Sequence, residues 1–402
     1  MIKEELLHFL WRKHRIPKIG LRTTSGDTVE ILSAGVLNHS DGPDFLNAKV
    51  RIGEVLWVGP VELHLKSSDW YAHKHQHDSR YESVILHVVL EENQPIEVLN
   101  RRLPCLEIRQ FLTKEIVSKY QNLQTCKENL ACAPYDIPDL DNSFLWMRDR
   151  LITERLQHRI QSIQTSNFGQ QIMFYTLLFG ALGAKSNRQP FMEFAQRINW
   201  SQLSRWSQRP ERIYAYLMYL SGLFEKEVRT LPEYNLIKAY ESKPMSLNLW
   251  QTRQIRPSGQ PKKRVLEICA LLVNDVFTTV IESEDAFDYA ENWSHIAFEI
   301  KAQTYNHIHL SEFVLRNIAL NAIAPFAYYR GLQSGDTAWF DFALNHVEEW
   351  PAERNKIVKL YESKGLKIKT GGDSQALLEL YQNYCVSKKC VSCAIGFTLL
   401  RA

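Results

Sequence analysis

The chain lacks any apolar run long enough to cross a bilayer, and it has little excess charge. Its 402 residues carry 48 Lys and Arg against 45 Asp and Glu, for a net charge of +3. A membrane-spanning helix needs about 18 or more consecutive apolar residues, which we do not find. The first residues mix Lys, Glu, His and Arg, unlike a secretory signal, so we expect a cytoplasmic protein. Near-neutral charge means that any nucleic-acid contact must come from a local cluster of cations.

Several catalytic motifs and a disulfide pattern are also missing. The sequence has no GxxxxGK[ST], GxGxxG or GxSxG segment, so nucleotide-driven, dinucleotide-dependent and acyl-transfer chemistry have no support. The seven Cys are an odd number in a large chain expected to be cytoplasmic. That count argues against a disulfide framework and leaves reduced thiols or a metal site.

The patterns along the chain predict an α+β protein with two domains. Residues 1–111 show a short amphipathic helix followed by period-two strand patterns, which predict a mixed-sheet α/β domain. Residues 112–143 have no clear period and are interpreted as a linker. Residues 144–402 are almost entirely helix-patterned, so we expect a large all-helical domain that ends in a cysteine cluster.

A dense group of catalysis-capable side chains lies in residues 42–90. Residues 61–66 alternate apolar and polar side chains, which predicts a strand with Glu62, His64 and Lys66 on one face. Asp44 is far enough upstream for the chain to run along one strand, turn and return to that face. The pattern predicts a Mg²⁺ or Mn²⁺ site held by Asp44 and Glu62, with His64 and Lys66 supporting the attacking water and the phosphate.

Other interpretations of these residues stay open. Asp44 follows Gly-Pro and fits a turn, while Glu62 and Lys66 fit a solvated ion pair on a strand. Glu30 or Asp69 could add a carboxylate. The alternating His73, His75 and His77 suggest a zinc centre if they lie on a strand, or else a polar loop. His87, between apolar residues, is expected to be a hydrogen-bonded core histidine.

A second candidate metal site lies in the last residues of the chain. Cys385, Cys390 and Cys393 fall within nine residues, and the last two have metal-knuckle spacing. Zinc and an iron–sulfur cluster both accept such thiolates. A fourth ligand would come from Cys126, Cys132, Cys105 or a His, and simple buried thiols remain the alternative.

A basic loop is the candidate contact for nucleic acid. Arg256 precedes a Pro/Gly segment, and Lys262, Lys263 and Arg264 begin the following helix pattern. Cations beside the N-terminus of a helix suit a phosphate, although basic loops are usually solvated surface.

Two family resemblances follow from these residues. The order helix, strands, Asp, strand with Glu-x-basic, polar segment and buried strand in residues 2–90 resembles the PD-(D/E)XK, restriction-endonuclease-like nucleases. Pro43-Asp44 matches the PD and Glu62 the acidic residue, which the resemblance implies bind Mg²⁺, while His64 replaces the expected Lys. The phrases GPDF at 42–45, VELHLKSSDWYAHKHQHD at 61–78 and VILHVV at 84–89 resemble a bacterial family without assigned function, over nearly the whole chain.

From these observations we expect a metal-dependent nuclease or nucleic-acid-processing protein that hydrolyses phosphodiester bonds. Two alternatives remain. One is a non-catalytic nucleic-acid-binding or scaffold protein with a degenerate nuclease core, which the replacement at His64 favours. The other is a zinc phosphoesterase that uses the histidine run.

Overall fold

The computed structural model describes residues 2–12, 16–38, 40–163, 169–240, 243–274 and 310–401. They form two compact units, residues 1–147 with 380–402 and residues 148–379. These units differ from the expected domains. Residues 112–143, interpreted as a linker, and the cysteine segment, assigned to the helical domain, both belong to the first unit.

The first unit is built on a seven-stranded mixed sheet. Its strands are β1 (Leu21–Arg22), β2 (Thr28–Ser33), β3 (Val36–Leu37), β4 (Phe45–Ile52), β5 (Val55–Lys66) and β6 (Leu86–Glu91); β7 (Glu97–Val98) and β8 (Arg101–Arg102) pair separately, and β9 (Cys105–Glu107) completes the sheet. The order is β1-β2-β4-β5-β6-β9, with β3 paired to β4. Pairing is antiparallel from β1 to β5 and parallel from β5 through β6 to β9.

A β-bulge in β4 decides which face carries Asp44. Phe45 pairs with Val61, but Ala48 pairs with Gly59, so β4 contains one extra residue between them. Because successive side chains of a strand point to opposite faces of the sheet, one extra residue switches the face on which each later side chain of the strand lies. The bulge therefore buries both Phe45 and Ala48 in the core and turns Asp44 to the opposite face.

Helices of the first unit cover the core and close its edges. They are α1 (Glu4–Arg12), α2 (Asp69–Ala72), α3 (Lys114–Thr125), the start of α4 (Leu140–Gln161) and the helix Ala394–Arg401, with a π-helical turn at Leu380–Cys385 and 3-10 turns at His75–His77, Ser79–Tyr81, Arg109–Phe111 and Cys390–Ser392. Tyr120 and Leu123 of α3 share one apolar core with Leu399, Leu400 and the sheet. The expected linker is therefore part of the core. Its few apolar side chains are too sparse to set a recognisable period, which is why the sequence pattern did not predict this.

The second unit is helical in its described part, apart from an isolated bridge between Pro351 and Thr370. Its helices are Gln170–Leu182, Ala184–Arg197, Trp200–Arg205, Pro210–Ser221, Glu225–Val228, Tyr234–Tyr240, Pro261–Val273, Glu312–Ile318, Ala324–Ser334, Ala338–Glu349, Lys356–Glu362 and Gly371–Glu379, with a π-helical turn at Ala319–Ile323 and 3-10 turns at Leu247–Leu249 and Pro257–Gly259. The α+β class is confirmed. Among the described residues, no helix has the length and apolar character needed to cross a membrane.

Candidate metal centre

Asp44 and Glu62 lie side by side on the face of the sheet that points away from the main core. The backbone N–H of Asp44 donates to Glu62 Oε2 at 2.9 Å, and the N–H of Leu63 donates to Asp44 Oδ2 at 2.9 Å. These reciprocal bonds join the start of β4 to β5. The two acids are separated in sequence by a whole hairpin, and the antiparallel pairing with its bulge brings them together.

His8 of α1 is a neighbour of Asp44 that the sequence analysis missed. Its Nε2 lies 3.1 Å from Asp44 Oδ2, and the two side chains are 27% and 23% exposed. Burial lowers the pKa of His8, but the adjacent Asp44 carboxylate outweighs that effect and raises the pKa above its usual 6.5. The available signal was its place between the apolar residues of an amphipathic helix, which shows a half-exposed position but not its partner.

Three histidines and Glu62 form the centre of the site. One ring nitrogen each from His64, His73 and His75 lies within 4.8 Å of the other two. His64 Nε2 is 3.1 Å from His73 Nδ1 and 3.5 Å from Glu62 Oε1, and His75 Nε2 is 3.3 Å from the same oxygen. Bonds of about 2.0–2.1 Å to a tetrahedral Zn²⁺ would place neighbouring ligand atoms about 3.3 Å apart. The three histidine nitrogens are therefore close enough together to bind a single transition-metal ion, and Glu62 Oε1 lies beside two of them.

A buried contact with His87 holds His64 in this arrangement. His64 Nδ1 and His87 Nε2 are 2.9 Å apart, and both rings are inaccessible to solvent. Burial, reinforced by neighbouring histidines, lowers the pKa of His64 to about 2, and burial lowers that of His87 to about 3. Both rings are thus neutral near pH 7, as a metal ligand must be, and His87 fixes which nitrogen of His64 carries its proton. His87 is the hydrogen-bonded core histidine that the sequence predicted.

Aromatic side chains pack on His75, and Glu62 and His64 are buried rather than lying on the open sheet surface that the strand pattern suggested. Tyr81 stacks on His75 with ring centres 3.8 Å apart, and Trp70 packs edge-on at 5.4 Å. Burial raises the pKa of Glu62, while the contact with His75 opposes the shift. Although His75 Nε2 is close to Glu62, its geometry does not satisfy a hydrogen bond, and this buried nitrogen keeps no partner. A metal ion would satisfy it.

The remaining expected members lie outside this cluster. The Lys66 side chain is exposed at the end of β5, and its backbone N–H donates to Asp69. Glu30 forms an ion pair with Arg51 at 2.7 Å. His77 is exposed, because residues 75–77 form a 3-10 turn rather than a strand, so His64 and not His77 joins His73 and His75.

The four basic residues of the loop have different surroundings. Arg256, Lys263 and Arg264 line a cavity of about 490 Å³ in the second unit. Arg264 is buried and bonded to Glu267, which neutralises its charge. Lys262 pairs with Glu227 at 2.9 Å and lies over the Phe224 ring. Arg256 and Lys263 are the two of the four that face the cavity from exposed positions.

Four cysteines of the first unit line one cavity. They are Cys132, Cys385, Cys390 and Cys393. Burial, with the adjacent Cys393 and Cys132, raises the pKa of Cys390 to about 12. The sequence analysis considered several cysteines as the fourth ligand. Of these, Cys132 lines the same cavity as the other three, whereas Cys105 is buried in β9.

The fold and the site together define a two-unit α+β protein with a histidine and carboxylate cluster on its sheet. The chain belongs to the family described as "Protein of unknown function (DUF2851)", whose sequence profile matches residues 4–356. This membership confirms the expected whole-chain resemblance to a family without assigned function. No curated protein and no solved structure matches the chain.

Proposed function

We propose that this protein is a metal-dependent phosphodiesterase that acts on nucleic acid through a transition ion. The proposal depends on the nitrogen atoms of His64, His73 and His75, which lie close enough together for one ion, and on Glu62 Oε1, which lies beside two of them. Imidazole suits Zn²⁺, and carboxylates suit Mn²⁺, whereas Mg²⁺ prefers an all-oxygen shell. For Asp44 and Glu62 alone we expected Mg²⁺ or Mn²⁺; with the histidine ligands we propose Mn²⁺ or Zn²⁺.

The chain order around the site supports the nuclease assignment. The helix α1, the antiparallel β2, β4 and β5, the helical segment 69–81 and the parallel β6 follow each other in the order of the restriction-endonuclease-like core. Asp44 stands at the start of β4 and Glu62 on β5, as the PD-(D/E)XK pattern requires. The histidine ligands are a departure from that pattern. Where the pattern has a lysine beside Mg²⁺, this site would have imidazole ligands on a transition-metal ion.

Each residue has a distinct part in the proposed reaction. When bound, the ion would lower the pKa of a water molecule and polarise a phosphoryl oxygen. Asp44 orients His8 and stabilises its protonated form. Because the pair is partly exposed at the edge of the site, protonated His8 is placed to donate a proton to the departing oxygen of the substrate.

One observation favours a second candidate, a non-catalytic nucleic-acid-binding or scaffold protein. The side chains of His64 and Glu62 are only 1% and 6% exposed, which resembles a closed structural metal site. In that case the ion would stabilise the first unit without activating a water.

Metal replacement combined with a cleavage assay separates the two candidates. The protein is stripped with a chelator and supplied with Mg²⁺, Mn²⁺ or Zn²⁺ in turn, and cleavage of labelled single- and double-stranded DNA and RNA is followed. We expect Mn²⁺ or Zn²⁺ to restore cleavage and His75→Ala to abolish both metal binding and cleavage. His77→Ala is the matched control, since His77 is exposed two residues away. Tight metal binding without cleavage would favour the scaffold, and absence of metal binding would contradict both candidates.

A further inference from the structure

We propose that the cavity beside the basic loop of the second unit binds a nucleoside monophosphate, either free or at the end of a nucleic-acid strand. Its volume of about 490 Å³ falls within the range of about 300–1,000 Å³ that is usual for small-molecule sites. Two cations, an exposed aromatic ring and the first turn of a helix line the cavity. The proposal does not depend on the phosphodiesterase activity proposed above.

The positive charge of the cavity comes from Arg256 and Lys263. Both side chains line the cavity from exposed positions. Among the described residues neither of them forms an ion pair, whereas the adjacent Lys262 pairs with Glu227. A phosphate monoester carries a charge of about −1.5 to −2 near pH 7, while a phosphodiester within a strand carries about −1. Two unpaired cations therefore match a terminal phosphate better than an internal one.

The helix Pro261–Val273 adds backbone donors at the cavity, because Lys263 belongs to its first turn. The residue before the helix, Gln260, does not cap it with its side chain. The Gln260 amide donates instead to the carbonyls of Thr252 and Ile255, at 3.1 and 2.9 Å. The first N–H groups of a helix and the positive end of its dipole favour an anion. The same turn thus offers a phosphate both a cationic side chain and N–H groups.

Hydrogen bonds hold the loop that carries Arg256 in place. Asn187 is buried and lines the cavity. Its side chain donates to the carbonyl of Gln251 at 2.9 Å and accepts from the N–H of Gln251 at 2.8 Å. Together with the bonds from Gln260, this pair fixes both ends of residues 251–260 before a ligand binds. Such pre-organisation lowers the entropy cost of binding.

Phe313 supplies a surface for the base. Its apolar side chain lines the cavity and is nevertheless 58% exposed. The Arg316 guanidinium lies over the ring, 5.9 Å from its centre. Aromatic side chains in such positions stack with nucleobases, with little preference for one base. The cavity thus combines an aromatic ring with cations, and a nucleotide would use both, whereas inorganic phosphate would use the cations alone.

Isothermal titration calorimetry of the full chain, with a chelator present, tests the proposal. The ligands are the monophosphates of adenosine, guanosine, cytidine and uridine, with each nucleoside and inorganic phosphate as partial ligands. We expect at least one monophosphate to bind about tenfold more tightly than its nucleoside or phosphate. Arg256→Ala/Lys263→Ala should weaken that binding by about tenfold or more. Lys262→Ala is the matched control, because Glu227 already pairs with that lysine.

Variants of Phe313 test the contact with the base. Phe313→Leu keeps an apolar side chain but removes the ring, so it should weaken nucleotide binding about tenfold and leave the affinity for inorganic phosphate unchanged. Phe313→Tyr should bind like the wild type. Competition with single-stranded oligonucleotides that carry or lack a terminal phosphate separates the two sources. Displacement by the phosphorylated strand alone indicates a strand end, and displacement by neither strand indicates a free nucleotide.

Any of four results would overturn the proposal: no monophosphate binds the wild-type chain at millimolar concentration, Arg256→Ala/Lys263→Ala binds as tightly as the wild type, Phe313→Leu leaves the affinity unchanged, or both oligonucleotides displace the nucleotide equally. The wild-type result stands even if a variant fails to fold, which circular dichroism would reveal. His75→Ala should bind the nucleotide like the wild type, so failure at the histidine site and failure at this cavity can be told apart.

Discussion

His87 supports the proposed ion without touching it. Its Nε2 accepts a hydrogen bond from the Nδ1–H of His64 when His64 Nε2 faces the metal. Loss of such a supporting partner typically lowers metal affinity about 10- to 100-fold. We expect a reduction of that size in His87→Phe, measured by competition with a chromophoric chelator. Val88→Ala is the control, because Val88 is equally buried but belongs to the main core; an equal loss there would mean that general packing, not His87, sets the affinity.

The buried histidines also predict how the stability of the metal-free protein depends on pH. The pKa is about 2 for His64 and about 3 for His87 in the folded chain. The unfolded chain takes up protons near pH 6.5, so it binds more protons than the folded chain below that pH. The free energy of unfolding should therefore fall as the pH drops from 6.5 towards 3, by at most about 1.4 kcal/mol per pH unit for each histidine.

Urea unfolding in the presence of a chelator, between pH 7 and 4.5, measures this slope. His87→Phe should make the slope shallower by up to one proton. His77→Gln, at an exposed position, is the comparison variant. A slope that is the same in both variants would refute the assignment.

The pKa shift of His8 has the opposite sign to those of His64 and His87. Burial lowers the pKa of His8, but Asp44 raises it by more, so that the pKa lies above 6.5. The stability that it contributes is complete below pH 6.5 and is lost as the pH rises through the folded pKa. We expect Asp44→Asn to remove this alkaline loss, and an NMR titration of the His8 ring should show its pKa falling. An unchanged pKa would exclude Asp44 as the cause.

At the scale of whole elements, Asp44 joins β4 to β5 through the N–H of Leu63. Asp44→Ala leaves this N–H without its acceptor, which should cost about 1–3 kcal/mol. Asp44→Asn retains an oxygen acceptor and should lose less. Equilibrium urea unfolding at pH 6 compares the two variants; equal losses would mean that the charge of Asp44, rather than its hydrogen bond to β5, stabilises the hairpin.

The strands could be predicted from the sequence where their pattern is local. Period-two alternation places Glu62 and His64 on one face because that geometry depends only on neighbouring residues. The bulge that turns Asp44 to the same face left no comparable pattern. The segment after β5 was harder still, since the histidine run fits a strand or a turn equally well, and only tertiary packing brings His64 beside His73 and His75.

Across the whole molecule, the net charge of +3 gives little general attraction for nucleic acid, so binding would depend on local cations. We expect the double variant Arg256→Ala/Lys263→Ala to weaken DNA binding and to reduce the slope of log affinity against log salt by about 2. Fluorescence anisotropy at several salt concentrations measures both. Lys262→Ala should have a smaller effect, because Glu227 already pairs with that lysine; an equal effect would place the contact elsewhere.

The domain boundary was the hardest large-scale feature to predict. The sequence pattern is helical along residues 144–402. No local feature indicates that residues 380–402 belong to the same unit as the sheet. Their assignment to the first unit depends on apolar contacts of Leu399 and Leu400 with residues from the opposite end of the sequence. Such long-range pairing is invisible to any periodicity.

Because the first unit is interrupted by residues 148–379, its parts emerge from the ribosome at widely separated times. The part of its core that Val391, Leu399 and Leu400 complete stays uncovered while residues 148–379 are synthesised. We therefore expect the nascent chain to bind chaperones during translation. The second unit should complete its folding before the first unit, although most of the first unit is synthesised earlier.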